Sequence, residues 1–100
     1  MTRRHYAIAL QQASEESPTL ARLAALTRES SERLALLQPL MPPPLRALVR
    51  AGPIDGGEWC LLVRGNAAAS KLRQMIPAFE AALRTSGREV TRIRLKIQSG

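Results

Sequence analysis

The chain is poor in the residues that most readily announce a chemistry. In 100 residues it has one cysteine, one histidine and three aromatic side chains. A lone cysteine, Cys60, rules out an intrachain disulfide and suits a reducing compartment. It lies in the run "EWCLLVR" among apolar neighbours, where a thiol reads as a small buried hydrophobe rather than a nucleophile. The lone histidine, His5, has no partner nearby in sequence, and no Cys/His/Asp group shows metal-ligand spacing. No glycine-rich segment matches a nucleotide-binding loop, and Gly56-Gly57 reads as a turn. Glu15, Glu16, Glu29 and Glu32 read as a solvated helix face, not an acid/base pair. These absences point away from an enzyme and predict neither cofactor nor metal. Long apolar runs are lacking too. "MTRRHYAIALQQ" is basic and only briefly apolar, too short for a signal-peptide core or a membrane span. The expectation is a soluble, cytoplasmic protein.

Charge is what the chain has in excess, at net +7. It is also unevenly placed. Residues 1–63 carry seven arginines against six acids, whereas residues 64–100 carry eight Lys and Arg against two. A basic half of this kind favours an anionic partner.

One hundred residues suit a single small domain. Residues 1–16 show no sustained period and read as a mobile arm, and residues 17–100 as one α+β domain. Ser17 as N-cap and Pro18 at the first helical position predict a helix over about 18–38. Its apolar stripe is Leu20, Leu23, Ala24, Leu34 and Leu37. Pro39 and Pro42 to Pro44 end it, and "LRALV" predicts a second helix of about two turns. Asp55-Gly56-Gly57 then marks a hairpin turn. Pro53 predicts a short first strand at an edge. In the second strand Trp59, Leu61 and Val63 share one face, and Cys60, Leu62 and Arg64 the other. That strand reads as central. A helix follows, with Asn66 as N-cap, a stripe of Ala68, Leu72, Met75, Phe79, Ala82 and Leu83, and Gly87 as its end. Pro77 predicts a kink or a break into two helices. The final strand is "TRIRLKIQ". The predicted architecture is two-layered, in the order α-α-β-β-α-β, with a three-stranded sheet and helices on one face. If the last two strands are parallel, the helix between them makes a βαβ crossover.

The last strand carries the candidate site. If Ile93, Leu95 and Ile97 face the helices, then Arg92, Arg94 and Lys96 form a row on the other face. Each lies roughly 6.5–7 Å from the next, a repeat close to that of phosphates along a nucleic-acid strand. Arg64 joins them from the neighbouring strand. Lys71 and Arg73 lie in the first turns of the crossover helix, whose N-terminus also favours anions. The six residues Arg64, Lys71, Arg73, Arg92, Arg94 and Lys96 are the predicted nucleic-acid contacts. With no aromatics interleaved, they suit backbone contact rather than base stacking. Cys60 and Leu62 on the same face leave room for a partner or a second copy.

The segment from Pro42 through Gln98, with its "EWCLLVRGNAAASKLRQ" core, Pro-containing helix and terminal "VTRIRLKI" strand, resembles the DciA family of bacterial proteins. The resemblance covers roughly residues 20–98. It implies a KH-like domain and a role in DNA replication, in which members bind DNA and the replicative helicase DnaB and assist helicase loading without an ATPase of their own. A nucleoid-associated location would follow. The Gly-X-X-Gly loop of ordinary KH domains is absent, so their RNA clamp is not implied. A protein–protein adaptor and an RNA-binding KH-like factor are the alternative readings.

Overall fold

The computed structural model describes residues 19–98. The expected arm, with His5, Glu15 and Glu16, lies outside them, as do Ser17 and Pro18. Helix α1 runs Leu20–Leu37. Thr19, not Ser17, is its N-cap, and its hydroxyl accepts from the Arg22 amide at 3.0 Å. A 3-10 turn at Gln38–Leu40 follows, then the one-turn helix α2 at Pro43–Arg46. Pro43 and Pro44 stand in its first turn, where no backbone donor is needed. The predicted second turn of α2 is absent because Val49 already begins strand β1, Val49–Asp55. Strand β2 is Glu58–Arg64, helix α3 is Asn66–Thr85 and strand β3 is Arg92–Gln98.

The sheet order is β1-β2-β3, with β1 antiparallel and β3 parallel to β2. The predicted element order and the central second strand are present, and the last pair, whose direction the sequence left open, is parallel. The arrangement is consistent with a small KH-like α+β fold. In β2, Trp59, Leu61 and Val63 are wholly buried while Cys60 and Leu62 are half-buried and Arg64 is exposed. One sheet face therefore carries the core, and the other is open. Ala68, Ala69, Leu72, Phe79 and Leu83 of α3 close over the core face, joined by Leu37, Met41 and Leu45. The leucine, methionine and phenylalanine side chains among these each contribute about 1.5–3 kcal/mol when fully buried.

Strand β1 is an edge strand, as Pro53 required, but at seven residues it is not short. The register steps from Ala51↔Leu61 to Ile54↔Trp59, so Gly52 and Pro53 together oppose Cys60 in a bulge. Pro53 lacks a donor, and the bulge spares it one. Gly52 is there because a Cβ would sit 2.6 Å from the Cys60 carbonyl oxygen. The bulge also turns the Gly52 carbonyl out of the ladder, where it accepts from Ser30 Oγ at 2.6 Å.

Three helix expectations need correction. Leu20, Leu23 and Ala24 of the predicted α1 stripe are exposed, Leu20 at 84%, while Leu34 and Leu37 meet the core as predicted. The inward positions of its middle are instead Ser30 and Arg33, with Leu37 beyond them. Ser30 seats the bulge, and its Oγ accepts from Trp59 Nε1 at 2.8 Å. Asn66 is the first residue of α3, not its cap; Gly65 holds that place at φ 95°. Pro77 does not divide α3, which is assigned as one helix from Asn66 to Thr85. Pro77 and Arg73 are both exposed, so the carbonyl that Pro77 leaves without a donor lies on the wet side. Gly87 ends α3 as predicted, at φ 89°. Its amide reaches the Arg84 carbonyl and the Arg88 amide the Leu83 carbonyl, the paired bonds of a glycine-terminated helix.

Candidate nucleic-acid interface

The face of each sheet residue follows from register and alternation. Glu58, Cys60, Leu62 and Arg64 stand opposite Arg92, Arg94, Lys96 and Gln98. Across the other ladder, Arg50 stands opposite Leu62 and Asp55 opposite Glu58. All of these share the open face, because their neighbours Trp59, Leu61 and Val63 are buried. Arg64, Arg92, Arg94 and Lys96 are thus brought together, and all four are exposed. Arg50, exposed as well, joins them. It escaped the sequence reading because Val49 was taken as the end of a helix and the first strand was placed only around Ile54, whereas β1 begins at Val49. Arg50 and Lys96 flank Leu62 across two strand spacings, roughly 9.5–10 Å apart.

The face is not uniformly basic. Asp55 and Glu58 lie at its hairpin end, and Arg94 reaches Glu58 Oε1 at 3.5 Å. Both side chains are well exposed, so this pair contributes only about 0–1 kcal/mol. Pro53, Asp55, Glu58, Cys60, Arg94 and Lys96 line a shallow depression of about 460 Å³. One side of it is acidic and the other basic. Away from the hairpin, Arg50, Arg64 and Lys96 surround Leu62 with no acid among the residues paired with them.

The two helix cations are placed differently. Arg73 lies on the helix layer and lines a groove beside β3 with Ile76, Arg92 and Arg94. It meets the cation row at the sheet edge, not on its face. Lys71 is exposed on α3, apart from both. The first amides of α3 receive no side-chain cap.

Part of the basic surplus is structural. Arg88 Nε lies 3.0 Å from Glu29 Oε2, and Arg84 Nε donates to the Val90 carbonyl at 3.3 Å. Glu29 also holds Arg33 Nε at 2.7 Å. Arg33 is buried, its guanidinium 5.8 Å from the centroid of the Trp59 ring. Burial pushes the Glu29 carboxyl up, but the bond from Arg33 and the charges of Arg88 and Arg33 outweigh it and hold the group below its usual range. Glu29 is therefore a ligand of the fold, not a member of a solvated face as expected. Trp59, wholly buried, is core and offers no stacking surface. Cys60 is half-buried on the open face, not enclosed in the core as its neighbours suggested.

Among the described residues no group of three His, Cys, Asp or Glu side chains could hold a metal ion. None of the described helices is long and apolar enough to cross a membrane. No family model matches the chain, and no curated protein matches it.

Proposed function

We propose that the chain is a non-enzymatic nucleic-acid-binding domain that holds the DNA backbone on its open sheet face. The observation that carries this reading is the cluster of Arg50, Arg64, Arg92, Arg94 and Lys96 on one exposed face, with a single weak ion pair among them. Such cations bind phosphates without reading bases, so little sequence preference is expected. By its resemblance to the DciA family, the finer reading is an accessory of bacterial DNA replication that assists loading of the replicative helicase.

The test is an anisotropy titration with a labelled oligonucleotide at rising salt. Five phosphate contacts give a slope of log K against log salt of roughly −3.5 to −4.5, depending on strandedness. Replacing Arg92, Arg94 and Lys96 with Gln leaves Arg50 and Arg64 and reduces the slope to roughly −1.5 to −2. Undetectable affinity at low salt, or a slope the triple variant leaves unchanged, overturns the reading. Ribo- and deoxy-oligonucleotides in competition distinguish DNA from RNA. Co-elution of replicative helicase with the tagged chain after nuclease treatment tests the finer statement.

A further inference from the structure

The cation row occupies one parity of β3; the other parity has a separate use. The Arg92 amide points toward the β2 side, at the Gly57 carbonyl 3.3 Å away. The next amide, Ile93, points the other way and donates to Glu80 Oε2 on α3 at 3.0 Å. Backbone groups alternate along a strand, so Leu95 and Ile97 also turn their amides and carbonyls away from β2. β3 is the last strand of the sheet, so no described strand lies on that side. Among the described residues no side chain bonds those two amides either, since Glu80 serves only Ile93. This is an open pairing edge without proline or a bulge to blunt it.

The edge is also a groove with a defined character. Arg73, Ile76, Arg92, Ile93, Arg94 and Leu95 line it. On its helix side stand Ile76 and Arg73, and Ile97 beyond it is 40% exposed. Its rim on the open-face side is basic. Of the acids closest by, Glu80 is occupied by the Ile93 amide and Glu58 is shared with Arg94.

We infer that the β3 edge takes an extended acidic peptide segment of a partner protein by strand addition. Main-chain bonds to Leu95 and Ile97 supply the docking, and alternate side chains supply the fit. On one face, acidic residues of the segment meet Arg92, Arg94 and Lys96 as cross-strand pairs. On the other, apolar residues lie over Leu95, Ile97 and Ile76. The recognised pattern is therefore acidic–apolar alternation over about five to seven residues. This inference is independent of the nucleic-acid reading, because it rests on the backbone edge rather than on phosphate contact.

The probe is a labelled seven-residue peptide alternating Glu and Val, titrated against the intact chain in the absence of nucleic acid. Two further peptides carry backbone N-methyl groups, one on every Val and the other on every Glu. A docked strand turns only one parity toward β3. One methylated peptide should then bind at least about tenfold more weakly while the other is little changed. The parity that fails reports strand direction, since antiparallel docking uses the Val amides and parallel docking the Glu amides. Hydrogen exchange should slow at the Leu95 and Ile97 amides and stay constant at Ile93. Equal binding by both methylated peptides and by a scrambled peptide of the same composition means charge attraction only, and overturns the inference. So does a lack of binding, or a chain dimer in which those two amides are already protected. None of these results bears on the oligonucleotide titration, and failure of that titration leaves the peptide result standing.

Discussion

Ser30→Ala should destabilise the domain far more than its single lost oxygen suggests. Ser30 is 4% exposed, and its hydroxyl is the only link between the Trp59 indole and the Gly52 carbonyl at the bulge. Removing it leaves a donor and an acceptor in the interior without their bonds. Each such orphan costs about 1–3 kcal/mol, so the pair costs about 2–6 kcal/mol. A domain of this size has a total stability of only about 4–12 kcal/mol. With a urea slope of about 1.5 kcal/mol per molar, a loss near 3 kcal/mol lowers the midpoint by about 2 M. Far-UV circular dichroism in urea reads this directly. The Trp59→Phe background isolates the mechanism: with the indole donor gone, Ser30→Ala orphans only the carbonyl. Its cost there should fall by about 1–2 kcal/mol. A loss below about 0.5 kcal/mol for Ser30→Ala alone, or a coupling of zero, refutes the claim that this hydroxyl ties α1 to the bulge.

Glu29→Gln should cost about 1–2 kcal/mol in urea denaturation, since it strips buried Arg33 of its counter-charge; an unchanged midpoint counts against that role. Because the Glu29 carboxyl is held below its usual range in the folded chain, its contribution is fully present above the ordinary carboxyl value and is lost as pH falls through the lower folded value. The stability gap between wild type and Glu29→Gln should accordingly narrow in acid, and a gap that widens there contradicts the assignment. Gly52→Ala should cost about 1–3 kcal/mol, because its Cβ meets backbone that cannot swing aside; thermal melts showing wild-type stability would falsify the close approach. Glu58→Gln should raise oligonucleotide affinity at low salt about twofold to fivefold by releasing Arg94 and removing a repelling charge. Weaker or unchanged binding in the anisotropy titration would place the contact away from this end of the face.

The parts of the fold that sequence revealed were those set by local chemistry. The run "EWCLLVR", apolar on both faces, identified the central strand, which has a strand on either side although only one of its faces meets helices. Asp55-Gly56-Gly57 marked its turn, since Gly56 adopts φ 60°. Helix α1 was misread because its partners are polar. A leucine stripe is the ordinary inward signature, yet the groups awaiting this helix are an indole N–H, a bulge carbonyl and an ion-paired arginine. Ser30 satisfies the first two and Glu29 the arginine, and Leu20 and Leu23 are left outside. No local pattern encodes that choice, because it depends on where Gly52 breaks the ladder of another strand. The two-helix reading of Pro77 failed for a related reason. The consequence of a missing donor depends on whether the abandoned carbonyl faces water, and this is a property of the packed helix rather than of the proline.

The candidate site shows the same division. Alternation in "TRIRLKIQ" was sufficient to put Arg92, Arg94 and Lys96 on one face, because side-chain parity is a property of any strand. It was not sufficient to choose their neighbours. Arg50 required the antiparallel register across Leu62, and the acids Asp55 and Glu58 required the hairpin to fold back beside the row. Charge counting placed Arg84 and Arg88 in the basic half but not in the interface, since a cation bonded to Val90 or Glu29 has the same formal charge as one facing water. Periodicity had likewise assigned Ile93, Leu95 and Ile97 wholly to the core. Ile93 is buried, but Leu95 is half-buried and Ile97 is exposed, because α3 covers the start of β3 and leaves its end open. The same uncovered end exposes the backbone edge. One strand therefore presents phosphate-spaced cations through its side chains and a pairing template through its main chain, and a single alternation in sequence generates both.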